Sequence, residues 1–201
     1  MTRRGLLRTG IPGAAAGLIA LAGCGSKAAL EPVRETGVFP GRVGVGDGAI
    51  VAFLLICEYL QADLYEQAIG AGVIHGAALT LAHAFSEQEQ EHIGMLTDIL
   101  HATGGAAPDR PRTHFPVEEP QAILALGAHV ENVVAGAYLG QVARVREPET
   151  RATLVAISSV EARHAAALDL QVGGRVSSLP IARPWTAPRV LDELRPYATV
   201  R

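Results

Sequence analysis

The chain has 201 residues, 49% of them hydrophobic, 18% charged and 4% aromatic, with a formal net charge of −3. That is enough for one compact domain with a substantial core, and it excludes a disordered chain or a basic surface for wrapping nucleic acid, so no nucleic-acid partner is expected. The two cysteines, in neither a CxxC nor a Cys/His zinc spacing, exclude a disulfide framework, zinc fingers and rubredoxin-like centres.

Residues 1–23 read as an address rather than as part of the fold. Arg3, Arg4 and Arg8 precede an apolar run from Ile11 to Gly23. A helix of that length spans only ~20 Å, too short for a ~30 Å bilayer core, which points to a signal peptide. The stretch from Thr2 to Arg8 resembles a twin-arginine export signal, with Leu6 and Arg8 where such signals more often have Phe and Lys. Leu21-Ala22-Gly23-Cys24 resembles a bacterial lipobox, in which Cys24 is acylated and becomes the mature N-terminus. Loss of the three arginines makes the mature chain more acidic. It also leaves Cys57 as a lone thiol, whose neighbours Leu54, Leu55 and Ile56 indicate burial. Residues 24–46, punctuated by Gly and Pro, read as a tether.

Four segments of helical period follow, within a bundle expected over residues 47–175. The first runs from Gly48 to Gly70, with Asp47 the expected N-cap. After a short turn the second runs from Ala77 to Thr103 and ends at Gly104-Gly105; Pro108, Pro111 and Pro116 keep the next stretch non-helical. The third runs from Pro120 to Arg146, and a tight connection at Glu147-Pro148-Glu149 starts the fourth, which ends near Gly173-Gly174. An extended link of roughly fifteen residues reaches ~50 Å, enough to recross a helix of ~40 Å. The order of links, short then long then short, therefore admits a bundle with a long crossover between the second and third helices, as well as simple up-and-down topology. Residues 176–201 form a Pro-rich tail holding the only tryptophan, Trp185, with a turn or two of helix around Val190 to Leu194, read as packing over the bundle.

The apolar stripes expose the chemistry. They run Val51, Leu54, Glu58, Ala62, Tyr65, Ile69 in the first helix and Phe85, Glu89, His92, Leu96, Ile99 in the second. In the third the stripe is Leu124, Ala128, Glu131, Ala135, Tyr138, Val142, and in the fourth Leu154, Ile157, Glu161, His164, Leu168. Each helix thus carries a glutamate into the seam that faces its partners. Two add a histidine one turn on, and the other two add a tyrosine two turns on. One Glu-x-x-His is weak on its own; the order E…Y, ExxH, E…Y, ExxH at nearly equal intervals is a specific internal duplication. Removing a carboxylate from water costs several kcal/mol unless it is paired, and four together repel one another. Cations among them would answer both problems, and oxygen ligands with two imidazoles suit iron or manganese, with zinc also able to bind.

On these motifs, residues 48–173 resemble the ferritin-like superfamily of bacterioferritins, rubrerythrins and related carboxylate-bridged dimetal proteins. They are most similar in style to exported bacterial ferritin-like domain proteins, some described as desiccation-related. The resemblance implies an all-α, ferritin-like four-helix bundle holding two Fe ions, or alternatively Mn. It implies that Glu89 and Glu161 bridge the metals, that Glu58 and Glu131 are terminal carboxylates, and that His92 and His164 supply one nitrogen each. Tyr65 and Tyr138 would then stand near the metals, as hydrogen-bond donors or one-electron relays. The implied chemistry is oxidation of Fe(II) by O₂ or peroxide, or removal of peroxide in stress protection. Manganese-catalase-like disproportionation is the first alternative; a non-enzymatic metal-binding or structural surface lipoprotein is the second. A lipid on each subunit fits a membrane-tethered monomer or homodimer outside the cytoplasm better than a closed storage shell. Among the remaining polar residues, Glu87 and Glu91 fall off the seam. His83 stands at i+4 spacing to pair with Glu87 on that outer face, His75, His101, His114 and His129 lack a partner at ligand spacing, and Gln61 and Gln141 are expected to offer hydrogen bonds near the site.

Overall fold

The computed structural model describes residues 44–175 and 181–199. Cys24 and the segments expected to be an export signal and, up to residue 43, a tether lie outside the described residues. Four long helices dominate: α1 (Asp47–Gly70), α2 (Gly76–Ala102), α3 (Pro120–Val142) and α4 (Pro148–Gln171), followed by a short α5 (Ala187–Leu194). The protein is all-α and ferritin-like in architecture, apart from a two-residue antiparallel ladder of β1 (Arg112–Thr113) with β2 (Ala198–Thr199).

The helix ends follow from local chemistry. Past α2, Gly104 takes φ 76° and the Gly105 N–H returns to the Leu100 carbonyl at 2.8 Å; past α4, Gly173 takes φ 74° and the Gly174 N–H returns to Asp169 at 2.7 Å. Both are left-handed exits that glycine makes without steric cost. Glu147 caps α4, its carboxylate accepting from the backbone N–H of Glu149 and Thr150, with Pro148 in the first turn.

Two local expectations are corrected. Asp47 is the first residue of α1 and not its N-cap, a place taken by Gly46 at φ 103°. Its carboxylate reaches across the bundle instead, accepting from the backbone N–H of Arg146 at 3.0 Å and of Glu147 at 2.8 Å. This capture also explains why α3 stops at Val142 rather than Arg146. Arg144 and Val145 tighten into i−3 bonds to Gln141 and Val142, which frees the next N–H groups to meet Asp47.

The same contact settles the topology. The start of α1 lies beside the end of α3, so these helices are antiparallel, and the short 71–75 turn makes α2 antiparallel to α1. Helices α2 and α3 therefore run the same way, and the 103–119 link has to return along the length of the bundle. It is held there by α1: Asp63 pairs with Arg110 and accepts from Thr113 Oγ1 at 2.6 Å, while Gln67 accepts from the Phe115 N–H at 3.1 Å. Phe115 is fully buried and stacks on Tyr197 with ring centroids 5.4 Å apart.

These coverings explain why α1 and α3 are buried over wide arcs rather than along a single stripe. The crossover lies against α1, and α5 packs Ala187, Val190, Leu191 and Leu194 against the outside of α3. The approach to α3 is close. The Trp185 N–H donates to the Gly136 carbonyl at 2.9 Å, and a Cβ at Gly136 or Gly140 would strike Trp185. By length and composition α1 and α3 could each cross a membrane, but most of each lies buried among the other helices. The apolar core falls into two clusters, one around Leu54, Leu96, Val134 and Leu154, the other around Ala68, Phe85, Ile123 and Leu168. A polar layer divides them.

Candidate metal centre

That layer consists of the six charged residues singled out by the stripes. Glu58, Glu89 and Glu161 are 0% exposed, Glu131 1%, His164 2% and His92 3%. Each long helix supplies one glutamate near its middle, and the histidines come from α2 and α4, which are neighbours in the bundle.

Two overlapping groups form. One holds Glu58, Glu89, His92 and Glu161, the other Glu89, Glu131, Glu161 and His164; within each, one donor atom per residue lies within 4.8 Å of all the rest. Glu89 and Glu161 belong to both. In the first group His92 Nδ1 lies 3.2 Å from Glu58, 3.1 Å from Glu89 and 3.1 Å from Glu161. A single ring N–H can serve one of these oxygens well, not three. In the second, His164 Nδ1 lies 3.0 Å from Glu89 and 3.6 Å from Glu131, yet neither it nor Glu89 Oε1 makes an aligned hydrogen bond. Glu161 Oε1 is likewise buried without a hydrogen bond. Converging oxygen and nitrogen atoms with spare lone pairs are what a cation satisfies and hydrogen bonds cannot.

The tyrosines complete a near two-fold arrangement. Tyr65 of α1 donates its hydroxyl to Glu131 of α3, and Tyr138 of α3 donates to Glu58 of α1. Both are buried, and burial together with the carboxylates opposite pushes both phenols well above their usual range.

The charges are costly as they stand. Burial pushes Glu58 up to about 8, with the repulsion of Glu89 adding to it. Burial likewise lifts Glu131 and Glu161 to about 7, reinforced by Glu161 in the one case and by Glu58 and Glu89 in the other. For the imidazoles burial works the other way, but the carboxylates gathered around each ring outweigh it: His92 is held up to about 12 by Glu161, Glu58 and Glu89, and His164 to about 10 by Glu131 and Glu89. The arginine ion pairs Arg110–Asp63 and Arg195–Asp192 are formed away from the layer, with other acids. Two divalent cations would balance four carboxylates and let both imidazoles be neutral, so the donor set fits the pair of ions.

Elsewhere the residues behave differently. His75, His83, His101 and His114 are exposed, as are Glu87 and Glu91, and His129 pairs with Glu193 at 3.4 Å. Gln141 accepts from Arg144 and its buried amide nitrogen makes no hydrogen bond, whereas Gln61 donates directly to Glu131 and Glu161. Sequence reading missed Gln88, which meets His164 Nε2 at 2.7 Å, and Phe85, which stacks on the His164 ring with centroids 3.9 Å apart. Phe85 was visible only as an apolar stripe residue; Gln88 lay off the stripe altogether. Cys57 is buried and burial raises its thiol, as expected of a packed side chain.

A family model described as a ferritin-like domain matches residues 46–174. The crystal structure of a conserved hypothetical protein from Mycobacterium tuberculosis is similar at a TM-score of 0.57 and 17% identity, over 68% of this chain and 94% of that one. At that identity the likeness concerns the fold. Among curated proteins none is similar enough to match.

Proposed function

Since the chain belongs to the ferritin-like domain family, we propose that its buried carboxylate–histidine layer is a resident dimetal centre, of iron or alternatively manganese, that oxidises Fe(II) or reduces peroxide in stress protection. The observation that carries this reading is the sharing of Glu89 and Glu161 between two four-residue groups, each with its own terminal glutamate and histidine. When bound, a pair of redox-active ions supplies one-electron couples and a place for O₂ or peroxide to bind.

The chain's own part is to hold, orient and insulate. Glu58 with His92 and Glu131 with His164 would each take one ion, and Glu89 and Glu161 would bridge them. Tyr138 and Tyr65 fix the terminal carboxylates through their hydroxyls, which sets the carboxylate orientation before an ion arrives. The apolar clusters on either side keep bulk water from the layer, so charge at the site is felt strongly. Protons that His92 Nδ1 and His164 Nδ1 hold among the carboxylates would leave as cations enter.

The proposal extends to location. The arginine pair and lipobox-like run in the sequence support export and anchoring through a lipid on Cys24, with the bundle outside the cytoplasm as a monomer or homodimer. Cys24→Ala should then release the protein from the membrane fraction.

The test is elemental analysis of the full-length protein from the exported fraction of its own host, followed by anaerobic Fe(II) loading and exposure to O₂ or peroxide. About two equivalents of iron, with many turnovers that Glu89→Ala abolishes, is the expected result. Two equivalents of manganese with peroxide disproportionation would move the reading to a catalase. No metal taken up would leave a structural lipoprotein.

A further inference from the structure

The two halves of the site are related by the internal duplication, which pairs Glu58 with Glu131, Glu89 with Glu161, His92 with His164 and Tyr65 with Tyr138. Among the positions that break the correspondence, three serve the same half. One turn after Glu58 stands Gln61, but one turn after Glu131 stands Val134. Immediately before Glu89 is Gln88, but before Glu161 is Val160; one turn before Glu89 is Phe85, but before Glu161 is Ile157.

Gln61 is 0% exposed, and its amide nitrogen lies 2.8 Å from Glu131 Oε2 and 2.6 Å from Glu161 Oε2. Its carbonyl oxygen is buried with no partner. A buried amide oxygen left unpaired is costly, and one rotation about the terminal side-chain bond exchanges oxygen and nitrogen. With an ion among Glu89, Glu131, Glu161 and His164, that rotation would bring a neutral, hard oxygen toward it. Gln88 works on the same half from outside. Its Oε1 can only accept, so the His164 Nε2 at 2.7 Å carries the hydrogen, and the lone pair of the neutral ring is left on Nδ1, facing the carboxylates. Phe85 holds that ring by stacking.

We infer that the two metal subsites are not equivalent: Gln61 adds an oxygen ligand to the Glu131/His164 subsite, which therefore loads first, and the Glu58/His92 subsite second. This inference rests on the dimetal reading above and deepens it.

The test is titration of the metal-free full-length chain in detergent with Mn(II), read by calorimetry and by electron paramagnetic resonance. The wild type should bind in two resolved steps, with an uncoupled Mn(II) signal at one equivalent that gives way to a coupled signal at two. Gln61→Val should weaken the first step roughly tenfold to a hundredfold, merging the steps and lowering the half-loaded population. Val134→Gln should strengthen the second step, a readout that holds whether or not Gln61→Val folds. Two Mn(II) bound with one affinity by the wild type, or a separation unchanged in both variants, would overturn this inference and leave the dimetal reading standing. No uptake by the wild type would overturn both.

Discussion

The hydroxyl of Tyr138, on α3, is hydrogen-bonded to Glu58, on the antiparallel helix α1, and the pair is mirrored by Tyr65 and Glu131. Each phenol thus holds a carboxylate from the other half of the duplication, so neither half orients its own first glutamate alone. In metal-free protein Tyr138→Phe and Tyr65→Phe should each lower stability by about 1–3 kcal/mol, the usual loss when a buried acceptor is left without its donor. Urea unfolding in the presence of chelator measures this. Losses that cancel in the double variant would mean that the two pairs are not independent supports.

The two carboxylates common to both groups should behave in the opposite way. Glu89 and Glu161 are fully buried among other acids, and converting one to a neutral isostere relieves repulsion while keeping its shape. Glu161→Gln is expected to leave metal-free protein as stable as the wild type, or more stable by up to about 2 kcal/mol, while metal stoichiometry falls below two. Thermal unfolding paired with elemental analysis checks both halves of the prediction.

The pH dependence of the metal-free protein has a definite sign. Glu58, at about 8, and Glu131 and Glu161, at about 7, lie above the ordinary value of 4.5. Their contribution to stability is therefore present below that value and is lost as pH rises through 7 to 8. His92 and His164, raised to about 12 and about 10, add stability that is present below 6.5 and lost on the alkaline side. Asp47, lowered by the N–H groups of Glu147 and Arg146, contributes above its ordinary 3.8 and loses that contribution in acid. Metal-free protein should accordingly unfold at lower urea at about pH 9 than at about pH 5. Saturating Mn(II) should reverse the order, because bound ligands must be deprotonated. Unfolding midpoints at the two pH values, with and without Mn(II), test the sign directly.

The tail offers an optical handle. Trp185, the only tryptophan in the chain, lies against Gly136 and Gly140, and Arg189 stacks on its ring at 3.6 Å. A methyl group at Gly140 would meet Trp185 backbone, which cannot swing aside like a side-chain tip. Gly140→Ala should cost about 1–3 kcal/mol and shift tryptophan emission to the red as the tail leaves α3. An unchanged spectrum would show that the tail is held mainly by α5 and the β1–β2 ladder.

Much of this protein could be read from order and spacing. A glutamate on an apolar stripe is conspicuous because burial makes it costly, and four of them, two followed by histidine, define the helices, the seam and the ligand types together. The seam holds for α2 and α4, where the stripe residues from Phe85 to Leu96 and from Leu154 to Leu168 are the buried ones. For α1 and α3 a single stripe understates the burial, since the crossover and α5 cover their outer faces.

What only the tertiary structure decided is which group meets which. Asp47 reads as a cap, yet it reaches the turn between α3 and α4; Gln61 and Gln141 look alike in sequence, yet only Gln61 donates to the carboxylates. Gln88, off the apolar stripe, meets a histidine on another helix. Helical periodicity assigns a residue to a face, because its rise and twist are local properties of the backbone. The partner across that face depends on the relative rotation and height of two helices, which the packing of the whole bundle sets.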